Sequence, residues 1–488
     1  MNILGRGQEL KILEHLYQSN QAEFLALYGR RRVGKTFLIR EFFKEKKEAV
    51  FFSVTGLKDG NMLEQIANTM DRISETFYGG VKLGRESHWR NVFKILNEAV
   101  EKQSHHKTII LFIDEMPWMA TPKSKLLQNL DYFWNQYWSI NPKIKLIICG
   151  SSASWIINQI IKSKGGLHNR ITEKVYLEPF TLFETKRYLE HRGFNLNNKQ
   201  ILLLYMVTGG VPFYLSKIKW KGSAVQIVEK LAFSKKAFFL DEFDNLFASL
   251  FENYREHIKI VRVLSKNRYG IGKTKLLESV GSVGGNSANR LQELEDAGFI
   301  MSFKPLYHRR KGTYYRLIDE YTYFYLKWIE PMKATLQEKA LDKSDWQAIR
   351  LTPEWNSWLG YAFEAVCYKH LVQIKCKLDL PPMSQVSTWR YVPTKGKKER
   401  GAQIDLLFDR SDDVINICEI KYSDKPFTIT KNDVEVLNRK LAVFKEHTRT
   451  QKQLFLSFIT THGLVDNYYA SELIHGIVTV DDLFKDEM

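Results

Sequence analysis

Cysteine is scarce in this 488-residue chain: four residues, Cys149, Cys367, Cys376 and Cys418, stand far apart and form no CxxC pair. That spacing excludes a zinc ribbon and a disulfide framework. Long apolar runs are missing as well, and none approaches the roughly 20 residues a membrane helix requires. The residues after Met1 carry Arg6 and Glu9 in an amphipathic pattern, without the apolar stretch and cleavage site of a signal peptide. The expectation is a cytoplasmic, reducing location and no membrane partner. Acidic residues are in deficit, 55 against 72 lysines and arginines, a formal charge of +17 that favours polyanions as partners. Internal repeats and low-complexity segments are also lacking. What is present, 44% hydrophobic and 26% charged residues, is the composition of a folded globular chain. Its length suggests about three domains.

Short runs rich in β-branched and aromatic residues, Phe24 to Tyr28, Val50 to Val54, Ile109 to Ile113 and Lys145 to Cys149, alternate with helical stretches such as Met62 to Phe77 and Lys125 to Trp138. Strands alternating with helices predict an α/β fold, a parallel sheet with helices on both faces, ending near Pro179. From Thr181 to about Leu240 the pattern is helical, broken at Gly209-Gly210-Val211-Pro212. Helices over Ile258–Lys266, Lys273–Val280 and Ser287–Ala297 precede two strands that flank the basic turn His308 to Lys311. That order is the winged-helix arrangement. A last α/β domain begins near Trp355. The expected boundaries are 1–180 for the nucleotide domain, 181–250 for a helical lid, 251–330 for the winged helix and 350–488 for the C-terminal domain.

Gly29-Arg-Arg-Arg-Val-Gly34-Lys35-Thr36 matches GxxxxGK[ST], in which backbone N–H groups cradle phosphates at a helix N-terminus. Lys35 would reach the β and γ phosphates, and Thr36 would ligate magnesium. The run Ile109-Ile-Leu-Phe-Ile113-Asp114-Glu115 supplies the complement. Asp114 would hold the magnesium shell, and Glu115 would orient and deprotonate the attacking water, which predicts hydrolysis of ATP rather than binding alone. Gly150-Ser151-Ser152 follows another strand, as a γ-phosphate sensor or as a strand-ending turn. Arg170 is a candidate arginine finger or an ordinary surface residue; acting in trans, it would need a homo-oligomer.

Taken together, Leu4-Gly5-Arg6, Tyr28 to Thr36, Phe112-Ile-Asp-Glu115, Cys149-Gly-Ser-Ser152 and Gly209-Gly-Val-Pro212 resemble the archaeal-type ATPases of the STAND branch, related to AAA+ proteins. The resemblance covers roughly residues 1 to 240. It implies that Arg6 lies near the adenine, that Ser151 or Ser152 is a sensor, and that Pro212 packs by the base. Gly7 departs from the acidic residue usual there, while Glu9 matches. In such ATPases a winged helix either reads DNA or packs on the nucleotide domain as a regulator. Here the recognition helix would offer Asn286, Asn289, Arg290 and Gln292, but also Glu293 and Glu295.

Near the C-terminus, Ile404 to Phe408 and Val414 to Ile420 alternate as two strands of a hairpin. Period two puts Glu419 and Lys421 on one face, and Asp405 on the neighbouring strand can approach Glu419. Two carboxylates and a lysine are what metal-assisted phosphodiester cleavage needs; the alternative is a charged strand face. With Glu364 in the preceding helix, Glu364, Asp405, Glu419 and Lys421 resemble the PD-(D/E)XK nuclease superfamily, a restriction-endonuclease-like domain over residues 350 to 488. The resemblance implies a metal held by Glu364, Asp405 and Glu419 and a water held by Lys421. Lys395, Lys397, Lys398 and Arg400 would contact phosphates or form a solvated loop. The expected function is a magnesium-dependent ATPase coupled to a nuclease-like domain acting on DNA. Its rival is an ATP-operated switch whose last domain binds nucleic acid or protein without cleaving.

Overall fold

The computed structural model describes residues 3–162, 167, 169–281, 285–306, 312–338, 343–393 and 401–486. The expected wing tip, His308 to Lys311, and the basic run Lys395, Lys397, Lys398 and Arg400 lie outside the described residues. The chain divides into two compact units, one of Met1–Pro179 with Leu250–Glu252, the other of Phe180–Ser249 with Asn253–Met488.

The first unit is built on β1 (Glu23–Tyr28), β2 (Val50–Thr55), β3 (Ile109–Asp114), β4 (Ile144–Gly150) and β5 (Glu173–Tyr176), all parallel in the order β2-β3-β4-β1-β5. The two-residue period sends alternate side chains to opposite faces. Phe24, Ala26, Leu111 and Ile113 enter one core with α3 (Met62–Phe77), α4 (Trp89–Ser104) and α5 (Leu126–Phe133). Leu25, Leu27, Ile110 and Phe112 enter the other with α1 (Gly7–Gln18) and α2 (Lys35–Lys44). Both faces being covered is why β3 reads as an apolar run up to Asp114, and β4 as one interrupted only by Lys145. The expected helix over Lys125–Trp138 is α-helical only to Phe133 and closes with a π turn over Trp134–Trp138.

The second unit opens with helices Leu182–His191, Asn198–Thr208, Pro212–Ser216, Ala224–Val228 and Phe239–Leu250. Gly209 and Gly210 both have positive φ, 62° and 66°, and a Cβ on Gly210 would stand 2.2 Å from the Phe180 carbonyl oxygen. Only glycine permits that turn. Next comes a module of α6 (Tyr254–Lys266), α7 (Lys273–Ser279) and α8 (Gly285–Asp296), with the antiparallel strands β6 (Ile271–Gly272), β7 (Ile300–Phe303) and β8 (Tyr314–Leu317) in the order β6-β8-β7. The expected plain spacer before the last domain instead contains the helix Lys343–Arg350.

The C-terminal region follows the order α9 (Pro353–Lys369), β9 (Gln385–Tyr391), β10 (Ala402–Asp409), β11 (Val414–Lys421), α10 (Lys431–Thr448), β12 (Gln453–Thr460) and β13 (Gly476–Thr479). Strands β9, β10 and β11 are antiparallel neighbours, and β12 and β13 continue the sheet in parallel with β11. The turn at Asp409 to Asp413 carries the chain from β10 to β11, with Asp413 at φ 67°. No helix among the described residues is long and apolar enough to cross a membrane.

Candidate functional site

The loop between β1 and α2 is held open by backbone geometry. Gly29 has φ 137°, and a Cβ there would meet the Leu177 carbonyl oxygen at 2.5 Å. Gly34, at φ 96°, is the residue before the first turn of α2 and has open space around it. Lys35, 6% exposed, donates to the carbonyl oxygens of Gly29 and Arg30, each at 2.9 Å. Burial lowers its pKa, opposed by the nearby carboxylates of Glu115 and Asp114.

The carboxylates arrive from β3. Thr36 Oγ1 donates to Asp114 Oδ2 at 2.8 Å, joining the phosphate loop to the acidic strand end. Register explains the approach, because β4 lies between β1 and β3 and puts their C-terminal ends on one edge of the sheet. Glu115 sits at φ 48°, and its carboxylate accepts the Ser151 N–H at 3.0 Å and the Ser151 hydroxyl at 2.8 Å. Ser151 is thus brought onto Glu115, and Ser152 is the residue that starts the next helix. Arg6, 5% exposed, donates to the Val33 carbonyl oxygen at 3.0 Å and lies 3.5 Å from Glu9, which ties the N-terminal Arg-Glu pair to the same loop. Arg170 is exposed in a turn, its N–H donating to the Leu167 carbonyl oxygen. Pro212 begins a helix of the second unit. Thr36 and Asp114 offer adjacent hard oxygen donors, the chemistry magnesium selects. Cys149 is a neighbour that motif reading passed over: burial, then Asp114, pushes its thiol well up, so it stays a neutral filler beneath the site.

The second cluster lies on β10, β11 and α9. The pairing of β10 with β11 runs to Leu406 and Cys418, β10 is irregular against β9 between Ile404 and Leu407, and Asp405 beside that irregularity lies close enough to feel the charge of Glu419. Lys421 Nζ stands 2.9 Å from Glu419 Oε1, on the face the alternation assigned. Lys440 of α10, for which the sequence has no local signal, reaches the same carboxylate at 2.7 Å. Burial raises the Glu419 pKa, but Lys440 and Lys421 together bring it below the usual value. Burial works against the Lys421 ammonium, yet Glu419 raises its pKa, so it remains a charged donor. Asp405 is pushed up to about 6 by burial and then by Glu419. Glu364 is pushed well up by burial and by Asp405, with Arg316 pulling the other way.

Three metal ligands were expected in Glu364, Asp405 and Glu419. Among the described residues, however, no three His, Cys, Asp or Glu side chains converge closely enough to hold a metal ion. The lysine pair engages Glu419, while Asp405 and Glu364 repel each other, a repulsion that Arg316 eases at Glu364 and that Lys440 and Gln403 ease at Asp405. Those two raised carboxyls are the groups a divalent cation would relieve. Gln403 donates to Asp405 Oδ1 at 2.7 Å. On α8 the two glutamates that looked adverse to a polyanion are used internally: Glu293 meets His257 Nε2 at 2.7 Å, and Glu295 accepts the Ser302 N–H at 2.7 Å.

A strand-loop-helix with a bonded threonine and aspartate defines the class of P-loop nucleotide-binding domains. Residues 4–218 match the model of an ATPase domain predominantly from Archaea. Residues 325–437 match a family described as archaeal and bacterial proteins of unknown function. An uncharacterised protein of Methanocaldococcus jannaschii is 24% identical over 446 residues, 90% of each chain. An uncharacterised ATP-binding protein of that organism is 50% identical over 44 residues, 9% of this chain and 75% of the relative. Among solved structures, a Walker-type ATPase of Pyrococcus abyssi aligns with TM-score 0.47 and 18% identity, over 67% of this chain and 96% of that one. The ORC2 protein of Aeropyrum pernix, in ADPNP and ADP complexes, aligns with TM-score 0.44 and 14% identity, over 69% and 94%.

Proposed function

We propose that the chain hydrolyses ATP on magnesium at Gly29 to Thr36, Asp114 and Glu115, and that its nucleotide state governs a metal-dependent nuclease-like site in residues 350–488 that acts on DNA. The bond between Thr36 and Asp114 carries the first half, because it sets the two expected metal ligands side by side. Bound magnesium would neutralise charge on the β and γ phosphates. Lys35 then exchanges its carbonyl partners for phosphate oxygens, at little cost in hydrogen bonds. Glu115 takes the proton of the attacking water, and Ser151, which grips its carboxylate, is the group through which a γ-phosphate would be felt. Arg6 serves the adenine, and exposed Arg170 serves the phosphates of a neighbouring copy in a homo-oligomer.

The second half rests on Asp405 lying within reach of the Glu419 charge, with Lys421 paired to Glu419. The order helix, three antiparallel strands, helix, strand supports a restriction-endonuclease-like reading of this region, and the order of α6 to α8 with β6 to β8 supports a winged-helix reading of that module. Asp405 and Glu364 would hold the metal, which would polarise a phosphodiester and lower the pKa of its water. Lys421 would stabilise the charge that builds on the phosphate. One observation favours the rival, a switch that binds without cleaving: Glu419 is already neutralised by two ammonium groups. The assay is incubation of plasmid, linear duplex and single-stranded DNA with the full-length protein, ATP and magnesium or manganese. Cleavage lost in Lys421→Ala and Asp405→Ala, with ATP hydrolysis intact, supports the nuclease reading. Cleavage that survives both substitutions, or a wild type that never cleaves, removes it.

A further inference from the structure

The carboxylate site of the C-terminal region is covered in this structure by the module of α6 to α8. Arg316 on β8 is 6% exposed. Its guanidinium lies between two rings, 3.9 Å from the Phe303 centroid and 4.3 Å from that of Tyr368, and donates to Thr388 Oγ1 at 3.3 Å. Tyr368 in turn donates to the Asp405 carbonyl oxygen. The cavity that Arg316 shares with Glu364, Asp405 and Gln403 measures about 20 Å³, and the one it shares with Glu364 and Glu320 about 40 Å³. A site of about 10–15 Å³ holds one water, so neither admits a nucleotide.

The cover is pinned at its edge. The Leu306 N–H donates to the Thr388 carbonyl oxygen at 3.1 Å, and Ser387 Oγ donates to the Lys304 carbonyl oxygen at 3.2 Å. Arg268 lies 3.9 Å from the Tyr361 centroid, and Arg390 of β9 lies 4.9 Å from that of Tyr269. These attachments are cation–π contacts and single hydrogen bonds, each weak and solvent-exchangeable. Arg316 is also incompletely satisfied, since its buried Nε has no hydrogen-bond acceptor among the described residues. A buried donor without a partner costs free energy, so the covered state is one from which the arginine is readily withdrawn.

We propose that the module is a removable cap on this site, with Arg316 as its plug: nucleic acid reaches Asp405 and Glu364 only when Arg316 and the contacts to β9 are released. The proposal rests on the reading of Glu364, Asp405, Glu419 and Lys421 as a phosphodiester-cleaving site. Arg316 is the counter-charge to Glu364 while the cap is closed. A divalent cation or a phosphate backbone competes for the same ground, so capping and loading oppose each other.

The test uses the full-length protein with Arg316→Ala. Hydrogen exchange over residues 385–391 and 401–409 reads the cap, and manganese-dependent nicking of supercoiled plasmid reads the site. Removing the plug should speed exchange in both segments and raise nicking roughly tenfold, the scale of losing one or two such contacts. Unchanged exchange overturns the cap, and so does nicking that falls, which would make Arg316 a ligand of the substrate. Faster exchange with no nicking in any variant keeps the cap and overturns the nuclease reading instead. A disulfide between cysteines at the two pinned positions, L306C with T388C, gives a second arm should Arg316→Ala fail to fold. Oxidation should slow exchange over 401–409 and reduction restore it; equal exchange in both forms refutes the cap.

Discussion

His370 makes the fold of the second unit sensitive to acid. Its ring is buried between α9 and the first helix of that unit: Nδ1 donates to the Val366 carbonyl oxygen at 2.8 Å and Nε2 accepts the Leu182 N–H at 3.0 Å. Both bonds require the neutral tautomer, and burial depresses its pKa from 6.5 to about 4. The unfolded chain therefore binds a proton that the folded chain refuses between those two values. Stability from this residue is present above pH 6.5 and is lost as pH falls toward 4. At about 1.36 kcal/mol per unit, the interval of roughly 2.5 units amounts to about 3 kcal/mol. Other groups titrate in the same range, so the informative quantity is a difference. Urea unfolding of wild type and His370→Gln at pH 7.5, 6 and 5 gives it. The variant should lose about 2 kcal/mol at pH 7.5, for two buried hydrogen bonds and an imperfect fit. That deficit should shrink by about 1 kcal/mol or more at pH 5, where wild type begins to resist protonation at a cost the variant lacks. A deficit that stays constant across the range would show that His370 is not held neutral by the fold.

Gly29→Ala forces a Cβ to within 2.5 Å of the Leu177 carbonyl oxygen at a φ of 137°, so thermal denaturation should show a loss of about 2–3 kcal/mol together with weaker nucleotide binding. Lys440→Met removes the larger of the two lysine effects on Glu419, so the Glu419 pKa should rise. Any plasmid nicking that needs ionised Glu419 should then have its acid limb displaced to higher pH, which a pH–rate profile measures. Lys35→Ala should abolish retention of a fluorescent ATP analogue while leaving the circular dichroism spectrum unchanged, because among the described residues the side chain donates to carbonyl oxygens of its own loop.

Legibility followed how much each element depends on its own residues. Strand β3 was readable because burial on both faces writes six consecutive apolar or acidic-terminal residues into the chain. The phosphate loop and the hairpin of β10 and β11 were readable because spacing alone determines them. Strand β5 was not, since it lies at the sheet edge with Glu173 and Lys174 exposed and only Val175 buried. The partners of the candidate sites were hidden for a different reason. Lys440 stands on an 18-residue helix with other basic residues, and only the closure of that helix on the sheet singles it out. His370 and Arg316 likewise gain meaning from contacts 188 and 72 residues away, which no local period records. In the opposite direction, Glu293 and Glu295 looked like surface charge on a recognition helix, whereas they are bonded to His257 and Ser302.

The central claim is that Glu115, gripped by Ser151 next to Asp114, makes the nucleotide site at Gly29 to Thr36 a hydrolytic one. Single-turnover hydrolysis of ATP by the full-length protein with magnesium, set against Glu115→Gln, tests it most directly. The account predicts that the variant binds ATP with an affinity close to wild type and hydrolyses it about a hundredfold more slowly or worse. Equal rates in the two proteins, or no turnover in wild type under any metal, would contradict it.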